Sequence, residues 1–232
     1  MIKRIFVFGF FLWMSASLYA QRKNVEYLPN FDKRQLHYGF YLGLNQNDFV
    51  VNLKTSTILN PNITVEPTPG FNVGLIVDYR LHKNISLRLE PGLISNSKKV
   101  FFNHLNTAQD SVREVNSTYL HIPVLLKIST NRLHNLRPFL IAGVSYDYNL
   151  SSNEANSDDN SSGEFRMKTH NFMYEIGIGL DIYLYFFKFS PSIRGVFAIN
   201  NEIKYDTDPN SQWTAPVNYM ATRGVFLTFA FE

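Results

Sequence analysis

Eight segments of about ten residues, each alternating apolar with small or polar side chains, recur along this chain of 232 residues. A two-residue period marks a strand with one apolar and one polar face. Tyr38, Phe40, Leu42 and Leu44 share a face against Gly39, Tyr41, Gly43 and Asn45. Phe71, Val73, Leu75, Val77 and Tyr79 oppose Asn72, Gly74, Ile76 and Asp78, and the pattern repeats at 85–93, 119–128, 140–148, 172–182, 189–197 and 225–231. No segment carries a sustained 3.6-residue stripe, so helix is a minor component at most.

The connections and the faces decide which β-protein this is. Short links near 81–83, 129–136 and 185–186 alternate with long polar connections at 46–68, 96–115, 150–170 and 200–221. Short turns at one end and long loops at the other are the pattern of bacterial outer-membrane barrels. The polar face carries Asp78, Arg88, Glu90, Lys127, Asp147, Glu175, Asp181 and Arg194. Aromatics gather at strand ends on the apolar face (Tyr38, Phe71, Tyr79, Tyr146, Tyr148, Phe172, Tyr174, Phe189, Phe197), as in an interfacial girdle. A soluble two-sheet protein with a solvated polar face has no reason to sort its loops so regularly. Charged residues are 18% of the chain, below the roughly 25% of a soluble domain. The expected fold is all-β: an eight-stranded antiparallel transmembrane β-barrel over residues 36–232. An even strand number returns both termini to one side.

The start of the chain sets the compartment. Lys3 and Arg4 precede an almost uninterrupted apolar run at 5–14, then Ser15-Ala16-Ser17-Leu18-Tyr19-Ala20. That is the make-up of a secretory signal peptide, predicted at residues 1–20 with cleavage after Ala20. The run is too short for an anchor, which needs about 20 apolar residues. An exported chain without a spanning helix crosses a membrane only as a closed barrel, which places this one in the outer membrane with its lipid. Residues 21–35 form a polar lead, expected in the periplasm with both termini. Removing Lys3 and Arg4 leaves 20 of 22 basic residues against 19 acidic, so the formal charge falls from +3 to +1. That is no footprint for nucleic acid.

Chemistry is sparse. With no cysteine there is no disulfide framework and no thiolate metal site. Nucleophile-elbow, zincin and phosphate-loop motifs are missing, and His37, His82, His104, His121, His134 and His170 are scattered. No catalytic residue, cofactor, metal or small-molecule substrate is expected. Asp206-Thr207-Asp208-Pro209-Asn210 alternates oxygens as calcium loops do, but without their central Gly and distal Glu. It reads as a surface loop. The stretch 153–164, with Glu154, Asp158, Asp159 and Glu164, could gather cations and reads first as a solvated loop. The eight inward charges are the strongest constellation. Burying an isolated charge costs several kcal/mol, so Arg88, Lys127 and Arg194 should pair with Asp78, Glu90, Asp147, Glu175 and Asp181. A paired core filling the lumen is favoured over a gated pore or proton path.

Several runs resemble one family. Tyr27-Leu28-Pro29-Asn30-Phe31-Asp32-Lys33-Arg34, continuing as Leu36-His37-Tyr38-Gly39-Phe40-Tyr41-Leu42-Gly43-Leu44-Asn45-Gln46-Asn47-Asp48-Phe49, resembles the start of PorT-family proteins. Leu89-Glu90-Pro91-Gly92-Leu93, the run from Tyr119 through His121-Ile122-Pro123 to Lys127, and the run from Pro138 through Ala142-Gly143 to Tyr146 are similar to the family's strands. These strand runs are shared with other small barrels of OmpA and OmpX type; the N-terminal run is more specific. The resemblance implies a non-enzymatic role in type IX secretion, with other components of that system as partners and a link to gliding motility. Barrel size implies that cargo does not pass through it. Asn30, Phe31, Asp32, Lys33 and Arg34 are the candidate docking segment, on the barrel rim or on a partner. The alternative is a generic small barrel serving envelope integrity, adhesion or small-solute passage; a lipid-acting barrel enzyme has no residues to rest on. The chain ends Phe229-Ala230-Phe231-Glu232, close to the terminal signal of such barrels but with Glu in place of a final aromatic.

Overall fold

The alternating segments close on themselves. The computed structural model describes residues 25–54, 62–105, 111–156, 158, 160–163 and 165–232. Its ten antiparallel strands are β1 (Leu36–Leu53), β2 (Ile63–Pro67), β3 (Pro69–His82), β4 (Ile85–Leu89), β5 (Gly92–Phe102), β6 (Val112–Ser129), β7 (Leu136–Asn149), β8 (His170–Tyr183), β9 (Lys188–Ala198) and β10 (Val217–Phe231). β1 pairs with β10 on one side and β3 on the other, which joins the ends of the sheet into a ring. β4 and β5 are halves of one barrel strand, and β2 prolongs the β3 strand along β5 beyond Thr68. The ring thus has eight strands, as the alternation predicts. The signal segment expected at 1–20 lies outside the described residues.

Two departures have local causes. Residues 85–93 read as one strand, but the ladder breaks at Glu90-Pro91, because proline brings no N–H to it. The stretches 46–68 and 96–115 read as loops, yet β1, β5 and β6 run far into them and β2 adds a fourth segment. β1 and β6 are 18 residues long, against about 9–11 needed to cross a bilayer. Their ends stand clear of lipid at the long-loop end, where polar residues occupy both faces and the alternation loses contrast.

Burial is inverted relative to a soluble protein. Leu75, Ile176 and Ile178 on the outer face are 64%, 61% and 61% exposed, while the charges of the other face are buried. Phe40 stacks on Phe231 and Phe189 on Phe229 near the short turns, and Tyr174 stacks on Phe197 toward the loops. Inside, the wall is thinned where bulk demands it. Tyr41 lies across Gly74 and Gly92, where a Cβ would come within 2.5 and 2.2 Å of its ring and hydroxyl. At the loop end Phe49, Val100, Phe102, Val115, Met167, Ile203, Val217 and Met220 form an apolar cluster. Met167 and Ile203 reach it from two long loops and bridge each other there.

Candidate functional site

From the turn end to the middle of the barrel the lumen is filled by ion pairs, of which Asp78–Arg88 and His121–Asp147 join residues opposite each other in the sheet. Asp78 on β3 lies opposite Arg88 on β4, 3.5 Å away. Arg88 also contacts Glu90, and Arg194 of β9 ties Glu90 (2.9 Å) to Glu175 of β8 (3.2 Å). His121 continues the chain, with Nδ1 on Asp147 at 2.7 Å and Nε2 facing Glu175 at 3.0 Å, off-axis for a hydrogen bond. Lys127 donates to both oxygens of Asp181, at 2.7 and 2.8 Å, and Ser190 donates to the same carboxylate. All eight charges singled out in the sequence point inward and are buried.

Three members of this network stand outside that set. His121, not one of the three bases, is the partner of Asp147. Glu232, the residue that broke the aromatic ending, is a lumen anchor held by Arg88 and Lys188 at 2.8 Å each. The signal for both Lys188 and Glu232 was parity. Each extends the inward face of its strand, past Ser190 and Ala230 respectively.

The lead is seated in the mouth at the turn end. Phe31–Lys33 forms a single 3-10 turn. Asp32 meets Arg80 at 3.1 Å, Arg137 at 3.2 Å and Arg132 at 3.6 Å, and accepts a hydrogen bond from the Tyr183 hydroxyl at 2.9 Å. Phe31 stacks on His37, meets Tyr183 edge-on, and lies under the Lys188 ammonium. Upstream, Asn135 brackets the lead through the Tyr27 N–H and the Val25 carbonyl, and Arg132 donates to the carbonyls of Tyr27 and Leu28. Asn30, Lys33 and Arg34 stay exposed. Between this turn and the ion pairs remains a void of about 20 Å³, room for no more than one water.

The oxygen-rich loops are occupied by their own contacts. Asp206 accepts from the side chains of Asn160, Ser211 and Thr214. Glu154 accepts the Thr169 N–H at 2.8 Å, which holds its carboxyl below the usual range. Asp159 and Glu164 lie outside the described residues. Among the described residues no three His, Asp or Glu side chains converge on a metal position.

A family profile described as "Outer membrane protein beta-barrel domain" matches residues 19–204. The chain belongs to this outer-membrane β-barrel family. Membership puts the apolar wall against outer-membrane lipid and the ion pairs inside the barrel. Among solved structures, Neisserial surface protein A is similar with a TM-score of 0.48 and 8% identity, over 85% of this chain and 98% of that one. OprG from Pseudomonas aeruginosa gives 0.47 and 13%, over 84% and 94%. Ail of Yersinia pestis, in complex with the heparin analogue sucrose octasulfate, gives 0.39 and 9%, over 85% and 99%. No curated protein matches the chain significantly in sequence. The family match is to outer-membrane barrels at large and does not single out PorT.

Proposed function

We propose that this barrel is a non-enzymatic, PorT-type component of a type IX secretion system, supporting export, and gliding where it occurs, without conducting cargo. The observation that carries the restriction is the closed lumen. Ion pairs, the seated Phe31–Lys33 turn and the apolar cluster occupy it from end to end. Eight strands leave an interior that side chains just about fill, whereas aqueous porin channels take about 16–18.

The secretion system itself comes from the resemblance of residues 27–49 to the start of PorT-family proteins. In this reading the signal peptide at 1–20 is removed, the termini and short turns are periplasmic, and the long loops face outward. Exposed Asn30, Lys33 and Arg34, fixed by the seated Phe31 and Asp32, then offer a periplasmic docking surface to another component. Deleting the gene should retain type IX cargo inside cells. Normal secretion in the deletion strain would leave the generic barrel role, in envelope integrity, adhesion or solute passage. The purified barrel in a planar bilayer should show no large conductance; stable large single-channel currents would remove the closed lumen from the argument.

A further inference from the structure

β6 is longer than its neighbour. Its pairing with β7 begins at Tyr119 opposite Asn149, while its pairing with β5 continues to Val112 opposite Phe101. Residues 112–118 therefore have a strand on one side only. The Leu150 N–H still donates to the Thr118 carbonyl, and the Thr118 N–H donates to Ser151 Oγ, so Thr118 faces the open side. Backbone groups alternate sides along a strand, so the N–H and C=O of Asn116 and Glu114 face the same way. No described residue pairs with them. Each is a donor and an acceptor that a buried or paired backbone would have to satisfy.

The space beside this edge is a polar slot of about 160 Å³, bounded by β6 at Glu114–Ser117 and by Asn149, Ser151, Asn153, Gly163 and Phe165 across it. Exposed edges are normally blunted by lysine, proline or a bulge. The stretch Glu114-Val115-Asn116-Ser117 has neither Lys nor Pro, and its register with β5 is unbroken. Charge also favours one kind of visitor. On the outer face of this small sheet Glu66, Lys99 and Glu114 sit in one row, two acids about one base.

We propose that this open edge of β6 accepts an extended polar peptide segment of another protein as an added strand, with a basic side chain beside Glu114. Asn116 and Glu114 would exchange backbone hydrogen bonds with it, the mode of recognition that gives affinity through the main chain and specificity through alternate side chains. The slot is too polar for an acyl chain, and its single carboxylate does not make a cation site. The proposal does not rest on the secretion assignment.

The test uses the full barrel in lipid nanodiscs and a phage library of linear peptides, with a panel of monosaccharides in parallel. Enriched peptides should carry a basic residue, and backbone N-methylation at alternate positions should abolish binding. Asn116→Pro removes the open-side N–H without taking a ladder bond from β5, and should weaken binding at least tenfold. Asn116→Ala, which keeps the backbone, should bind as the parent does, and Glu114→Gln should weaken binding several-fold. An unboiled gel shift confirms that each variant has folded. Absence of enriched peptides, equal binding by folded Asn116→Pro, or saturable binding of a simple sugar that blocks the slot would each overturn the proposal.

Discussion

The two halves of the lumen are filled by different physics. From the turn end to mid-barrel every buried carboxylate of the network has a cationic partner, and all but the lead's contribution comes from barrel strands or their immediate ends. At the loop end the packed cluster is apolar and much of it arrives from loops, and Lys98 and Glu202 are among the charges buried beside it. Lys98 has its ammonium 4.1 Å from the centre of the Phe49 ring and no hydrogen-bond partner among the described residues. Glu202 holds Thr222 Oγ1 at 2.7 Å through one oxygen and leaves the other without a partner. A paired network stands or falls together, whereas an apolar cluster tolerates a local opening. Buried pairs are close to neutral as wholes, but removing one partner strands the others.

The largest expected effect follows from that. Arg88→Met deprives Asp78, Glu90 and Glu232 of a shared cation at once, and should cost about 3–5 kcal/mol. Urea unfolding of the refolded barrel, read by gel mobility, checks it; a loss below about 1 kcal/mol would mean that the network is not cooperative. Asp32→Asn should act locally. Its carboxylate is partly exposed and its pairs are screened, so about 1–2 kcal/mol is expected, confined to the lead. Trypsin should then cut at Lys33 or Arg34 faster in the variant, and high salt should narrow the difference. Equal cutting would show that the lead is held by Phe31 and Asn135 instead.

The same contrast explains what was legible in the sequence. Strand parity alone puts Asp78, Arg88, Lys127 and Arg194 on one face, because a barrel wall has only two faces and lipid claims one of them. Parity also reaches Lys188 and Glu232, although the turn at 185–186 and the chain end break the alternation beside them. The register that joins Arg194 to Glu90, or His121 to Glu175, depends on barrel stagger and has no local signature. Nor did composition reveal the extensions of β1, β5 and β6. Asn47, Asn96 and Lys98 look like loop residues, yet all are buried on an inner face of the extended strands. In the lead, the sequence singled out five adjacent residues without distinguishing the seated Phe31 and Asp32 from the exposed Asn30, Lys33 and Arg34. That distinction requires the arginines at three separate strand ends and turns.

The smallest effect concerns pH and belongs to the loop end. Glu202 lies in the connection between β9 and β10, and burial pushes its carboxyl up from 4.5 to about 7. Lys98 on β5 and the Thr222 hydroxyl on β10 pull the other way, and Asp147 on β7 adds to the rise. A carboxyl whose folded value is raised binds its proton more tightly when buried. Its contribution is therefore fully present below about pH 4.5 and is lost as pH rises through about 7. The closed loop end should open more readily at pH 8 than at pH 5, with the turn end unchanged. Amide exchange is the suitable measurement, comparing 199–216 and 98–102 with the lead at 25–34 across that range, after correction for the intrinsic pH dependence. Glu202→Gln keeps the hydrogen bond to Thr222 within reach and removes the proton equilibrium, so its loop end should lose the pH dependence. Lys98→Met removes the opposing cation and should move the transition to higher pH. A parent protein whose loop-end protection is flat from pH 5 to 8 would mean that Glu202 keeps one charge state in its buried position, and that the loop-end closure is indifferent to it.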